Sequence, residues 1–233
     1  MRKYIFIISL LSAGWVSAQE TTDGQPEYKQ RYGLRIGVDI SKPARSFFDK
    51  NYWGLELMGD YRINYRLYAA AELGHEKKTT EEDYFTYTTN GQFLKLGVDY
   101  NTYGNWYGME NLVYVGGRYA FSRFSQELNS YSVYKTNQYW NESLAGTNTD
   151  WLRTYDGRTA HWLELIIGMK VELLRNFYAG TSIRLGYMIV NTDSGGFPNY
   201  WIPGFNRLWE GSNFGMSYNY SLTYLIPLYK KKK

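Results

Sequence analysis

The 233-residue sequence contains no cysteine. In an exported chain this excludes a disulfide framework, so the fold must be held by other means. Beyond the first residues it also lacks any run of the roughly eighteen apolar residues that a membrane-crossing helix needs. Histidine is scarce: His75 and His161 are the only two. The acidic run Glu81-Glu82-Asp83 lacks the alternating oxygen ligands and glycine of a calcium loop, so no metal or other cofactor is expected. Neither sign of charge dominates. The net charge is +4, and four of the bases are the terminal Lys230 to Lys233. That balance provides no footprint for nucleic acid.

The N-terminus reads as a targeting segment. Arg2 and Lys3 precede an apolar run from Tyr4 to Leu11, followed by the small-residue site Val16-Ser17-Ala18. This is the pattern of a secretory signal peptide over residues 1–18, too short to span a bilayer. It leaves residues 19–31 as a periplasmic N-terminal segment and 230–233 as a basic periplasmic tail.

Apolar residues are nonetheless abundant. The chain is 44% hydrophobic and 19% aromatic, with 25 tyrosines. Its mean hydropathy is only −0.51, so these residues are interleaved with polar ones. Strict apolar–polar alternation, the mark of a two-faced strand, occurs over 32–40, 53–63, 67–75, 93–100, 111–121, 162–173, 177–189 and 213–228. One phrase is written twice, LRIGVDI at 34–40 and LKLGVDY at 94–100. Short connections at 64–66, 101–106 and 174–176 alternate with long ones at 41–52, 76–92, 122–161 and 190–212. The pattern predicts an all-β fold: an eight-stranded antiparallel up-and-down transmembrane β-barrel over 32–229, with short periplasmic turns and long extracellular loops.

Four features indicate that the apolar face looks outward to lipid. It carries no charge in any of the eight segments, and a charge at the bilayer midplane costs about 2–4 kcal/mol. Glycines such as Gly37, Gly74, Gly97, Gly116 and Gly168 lie on the polar face, where the crowded interior of a small barrel needs room. Aromatics gather at the segment ends: Trp53, Tyr119, Phe121, Trp162 and Phe214 toward the long loops, and Tyr61, Tyr100 and Tyr224 toward the short turns, as two interfacial girdles. The charges on the polar face nearly balance. Arg35, Arg62, Lys95, Arg118, Lys170 and Arg184 accompany Asp39, Glu56, Asp60, Glu72, Asp99, Glu164 and Glu172. Buried charges must pair, so these residues are expected to form an interior ion-pair network. Eight strands leave no open channel.

From about Tyr32 to Tyr229 the chain resembles the small outer-membrane β-barrels of Gram-negative bacteria. More narrowly, YGLRIGVDISKP, GDYRI, LYAAAELGHEKKTTEED, GMENLVYVGGRYAFS and NQYWNE resemble a family of exported barrels of unknown function. The resemblance implies a place in the outer membrane, contact with its lipid and passage through the outer-membrane assembly machinery, and no catalytic residues. Such barrels commonly end in an aromatic residue, whereas here Tyr229 is followed by four lysines.

Two functions are open at this stage. The long loops carry Trp140, Trp151, Tyr200, Trp201 and Trp209 among Asn, Ser and Tyr, a composition suited to binding a surface glycan or protein, or to capping the barrel. The leading expectation is a non-enzymatic barrel whose loops mediate interaction or support envelope integrity. The alternative is a lipid A hydrolase or acyltransferase using His75 or His161 with Ser122, Ser125, Glu76 or Glu81 nearby. No spacing among these makes a recognisable triad.

Overall fold

The computed structural model describes residues 29–105, 109–133, 144–145, 151–192, 196–209 and 211–232. The proposed signal peptide and Trp140 lie outside them. Eight strands carry the fold: β1 (Lys29–Asp39), β2 (Tyr52–Arg62), β3 (Leu67–Glu81), β4 (Phe85–Asn101), β5 (Leu112–Val133), β6 (Thr154–Leu174), β7 (Phe177–Thr192) and β8 (Phe214–Lys232). Each pairs antiparallel with its neighbours in sequence, and β8 returns to pair with β1. The pairings run once around a closed ring, an up-and-down barrel. One helix, α1 (Ser41–Phe48), occupies the β1–β2 connection. A small hairpin of Trp201–Ile202 with Asn206–Arg207 occupies the β7–β8 connection.

The strands outrun the alternating segments. β3 and β4 meet across residues 82–84, so most of the loop expected at 76–92 is hairpin. β5 and β6 extend to Val133 and back from Thr154, which shortens the loop expected at 122–161. The outward residues of these extensions are polar (Lys77, Asn90, Arg123, Glu127), so apolar alternation stops while main-chain pairing continues. The chain ends behave likewise. Lys29, Gln30 and Arg31 pair with Lys232, Lys231 and Lys230. Residues 29–31 of the N-terminal segment thus supply the start of β1, and Lys230, Lys231 and Lys232 of the basic tail are the end of β8.

The two faces are sharply different. Outward lie exposed Leu57, Leu73, Leu96, Val115, Ile167 and Leu185, while Arg35, Glu56, Asp60, Glu72, Lys95 and Arg184 are buried inside. A barrel folded for water would place them the other way round. Trp162 departs from the expected upper girdle. It shares the face of Glu164 and Ile166, is fully buried, and donates Nε1–H to Glu164 at 2.7 Å. Interior crowding explains two glycines directly. A Cβ on Gly116 would run into the Asp99 carboxylate. One on Gly204, whose φ is +82°, would lie 2.6 Å from the Phe93 ring.

Candidate functional site

The lumen is filled by charged pairs between apolar clusters. Asp60 accepts from Arg35 Nη2 and Lys170 Nζ, each at 2.6 Å. Glu72 accepts from Arg184 Nη1 at 2.5 Å and Arg118 Nε at 3.3 Å. Arg118 also grips Asp99 with both terminal nitrogens, at 2.8 and 3.0 Å. Lys95 donates to Glu164 at 2.8 Å. Toward the short turns, Arg31 joins Glu110 at 3.0 Å and Glu172 at 2.7 Å. Toward the mouth, Lys42 of α1 lies 3.3 Å from Glu56 and also pairs with Glu76. Tyr68, Leu112, Tyr114 and Ile166 form an apolar layer beside the network. The cavity around Arg35, Asp60 and Arg62 holds only about 10 Å³, room for about one water.

Asp39 and Arg62 take other partners than the expected network. Asp39 accepts from N and Oγ of Ser41, the first residue of α1, at 2.7 and 2.5 Å. Arg62 donates to Gln30 and to the carbonyls of Arg31, Asn64 and Tyr65, with the Tyr32 ring 4.7 Å away. Strand parity states which face a side chain takes, not which partner it meets. The network also includes Arg31, Lys42, Glu76 and Glu110, which lay outside the alternating segments. For Glu76 a signal existed, since it continues the inward parity of Glu72 and Gly74.

Above the network, the 196–209 segment folds down into the mouth. Ile202 and Phe205 pack with Phe93, Phe124, Trp162 and Met188. Phe205 meets Trp162 edge-on at 5.6 Å. Two buried charges hold the segment's main chain: Gly204 N donates to Glu76 Oε2 at 3.0 Å, and Lys95 Nζ donates to Gly204 O at 3.1 Å. Arg158 donates to Phe197 O at 2.7 Å and Gln126 to Pro198 O at 3.0 Å. Between this plug, α1 and the upper part of β8 lies a cavity of about 550 Å³. Burial works against the Lys42 ammonium, but the carboxylates of Glu76 and Glu56 outweigh it and raise its pKa above the ordinary lysine value. Just beyond α1, a hydrogen bond from Lys78 at 2.6 Å holds the Asp49 carboxyl below its ordinary range.

The expected loop surface is divided. Trp201 is buried, with its ring 6.4 Å from that of Tyr52. Tyr200 is half-buried among Phe85, Tyr87 and Phe197. Both belong to the plug rather than to an exposed loop surface. Trp151 and Trp209 are exposed, the first against Tyr131 and the second under the Arg207 guanidinium.

The histidines face outward near the top of the apolar belt. His161 Nδ1 lies 2.7 Å from the Tyr119 hydroxyl, and its ring packs on Phe121. His75 packs edge-on to Trp53. Adjacent residues of a strand point to opposite faces, so Glu76 is buried in the lumen, away from His75. Ser122 is buried and donates to Gln92 O, and Ser125 to Asn90 O. Glu81 is exposed at the hairpin end. Among the described residues, then, these side chains are not gathered into a nucleophile, base and acid, and no cluster of His, Asp and Glu could hold a metal.

No curated protein matches the sequence. Among solved structures, the crystal structure of Neisserial surface protein A (NspA) is similar, with 10% identity, 83% of this chain and 94% of that chain covered, and a TM-score of 0.44. The family described as a domain of unknown function, DUF6048, matches residues 1–231, and the chain belongs to that family.

Proposed function

We propose that the protein is a closed, non-enzymatic outer-membrane barrel that presents an interaction surface on its long-loop side. The observation that carries this reading is the inside-out distribution of charge: an uncharged apolar belt outside, and paired Asp, Glu, Lys and Arg inside. A closed ring of strands satisfies its main chain without water, as a bilayer requires. The secretory pattern of residues 1–18 supports export. The near-solid lower lumen and the plugged mouth argue for a seal rather than a pore. The polar extensions of β3 to β6, with exposed Trp151 and Trp209, provide the surface that a glycan or protein would meet.

The test is reconstitution of the purified barrel in planar bilayers, with membrane fractionation of the expressing cells. The barrel should sediment with the outer membrane and produce no conductance steps. Stable single-channel openings of the wild type would overturn the closed reading. Mass spectrometry of lipid A, with and without the gene, should show no difference. A changed acylation pattern would replace the scaffold reading by the enzymatic one.

A further inference from the structure

We propose that the cavity at the barrel mouth binds the phosphate-bearing headgroup of an outer-leaflet amphiphile, which enters sideways through a notch in the wall between α1 and the upper part of β8. The source of this ligand rests on the outer-membrane reading above.

The notch follows from strand lengths. β1 leaves the wall at Asp39, opposite Ser221 of β8. The last main-chain bond across that seam is Ile40 N to Tyr220 O at 2.7 Å, and the chain then turns into α1. From Asn219 up to Phe214, β8 is paired on its β7 side only, from Asn219↔Ser182 to Phe214↔Tyr187. Six residues at about 3.3 Å each make an unpaired edge of roughly 20 Å. The outward side chains on this edge are apolar and far exposed, Met216 at 72% and Tyr218 at 67%. An unpaired main-chain edge next to hydrocarbon is costly, so this stretch is suited to a ligand that brings both polar atoms and acyl chains.

The cavity runs through the notch. Its lining includes inward-facing Ser217, Asn219 and Arg184 together with outward-facing Met216 and Tyr218. It is therefore continuous from the lumen to the lipid side of the wall. At about 550 Å³ it falls in the size range of small-molecule sites.

Its chemistry selects an anion. Five cationic side chains line it against two carboxylates. Lys42, Lys95, Arg184 and Arg207 already hold Glu76, Glu164, Glu72 and Glu82, so Arg45 of α1 is the least committed of the five. It reaches Asp49 only at 3.8 Å, while Lys78 already holds that carboxylate at 2.6 Å. Its guanidinium instead lies over Tyr52 at 4.3 Å and Trp201 at 5.1 Å. Among the described residues, three buried donors on the lining, Asn219 Nδ2, Trp201 Nε1 and Arg184 Nε, have no hydrogen-bond acceptor, against one acceptor without a hydrogen-bond donor, Glu56 Oε1, which Arg184 Nη1 approaches only to 3.7 Å. Asn219, Trp201 and Arg184 are at most 7% exposed. Buried donors without partners are costly. A phosphate offers several acceptors at once, and a neighbouring headgroup hydroxyl would serve Glu56.

The experiment uses the full barrel in zwitterionic micelles, titrated with short-chain phosphatidic acid and followed by tryptophan fluorescence and native mass spectrometry. One equivalent should bind saturably. Phosphatidylcholine of the same chain length, and glycerol 3-phosphate as the chain-free headgroup, should each bind at least ten-fold more weakly. Arg45→Ala and Asn219→Asp should each weaken phosphatidic acid at least ten-fold. Ser217→Trp, which fills the notch, should abolish binding. Heat-modifiable gel migration identifies variants that have not folded, and Arg45→Ala, on a half-exposed helix position, keeps the comparison open if the others fail. Equal affinity for phosphatidylcholine would overturn the anion site. Equal affinity for glycerol 3-phosphate would overturn sideways entry of an amphiphile. Because the titration is performed in micelles, a null result removes this site without touching the outer-membrane placement. A barrel absent from the outer membrane fraction would remove that placement without altering the titration.

Discussion

Asp60 holds Arg35 and Lys170 at once, at 2.6 Å each, in a part of the lumen with room for about one water. Removing the shared carboxylate leaves two buried cations unpaired. Asp60→Ala should therefore lower stability by about 3–5 kcal/mol, measured as the urea midpoint of the folded barrel in micelles. A shift within the scatter of surface substitutions would show that the network is wetter than its burial indicates. Asp49 lies outside the wall and makes a smaller, pH-dependent contribution. Its pKa is depressed in the fold by Lys78. Its stabilisation is therefore present above the ordinary carboxylate value of about 4 and is lost as pH falls toward the folded value. Lys78→Gln should flatten that acid limb of the stability profile. The faces of Asp60 and its partners were legible in the sequence because a strand alternates with period two. The partners were not, because a pair such as Lys170 with Asp60 joins residues 110 apart across a ring whose register no local pattern records.

At the scale of elements, the twice-written phrase shows how far local pattern reaches. Arg35 and Lys95 both point inward and both find a carboxylate, Asp60 in one case and Glu164 in the other. Asp39 and Asp99 then diverge: one accepts from Ser41 at the foot of α1, the other grips Arg118. Equal wording with different partners fits two strands answering the same two-faced surroundings. The eight strands were legible wherever apolar and polar residues alternate. The upper parts of β3 to β6 were not, because the outward face turns polar above the belt while the inward face turns partly apolar, with Tyr87, Phe124, Leu128 and Tyr155 buried, so the pattern of the belt breaks. The plug was not legible either. Its Trp201, Ile202 and Phe205 suit an exposed binding loop or a folded-down cap equally well until the lumen walls Phe93 and Trp162 are in place. Phe205→Ala should destabilise by about 3–5 kcal/mol and open the mouth. A cysteine at Ile202, fully buried in the intact plug, should react with a soluble thiol reagent at least ten-fold faster in that background than with Phe205 in place. Unchanged reactivity would mean that the segment is held by its main-chain bonds to Glu76, Lys95, Gln126 and Arg158 without the Phe205 ring.

For the whole molecule, the decisive fact is which side of the wall carries the charge. The sequence already separated the two faces; the closed ring of pairings shows that one of them must be the outside, and the buried charges show which. Ile167, in the middle of the belt and 59% exposed, should tolerate leucine freely in a bilayer. Ile167→Arg should cost about 2–4 kcal/mol in folding into vesicles, with little cost if the belt faced water. The most direct measurement uses the absence of cysteine. Single cysteines are introduced at Asp83, at the tip of the β3–β4 hairpin, and at Asn64, in the short β2–β3 turn. Intact cells are then treated with a membrane-impermeant thiol reagent. A barrel embedded as proposed labels at Asp83 and leaves Asn64 unlabelled until the cells are lysed. Labelling at Asn64 in intact cells, or at neither site before lysis, would contradict both the orientation and the outer-membrane placement.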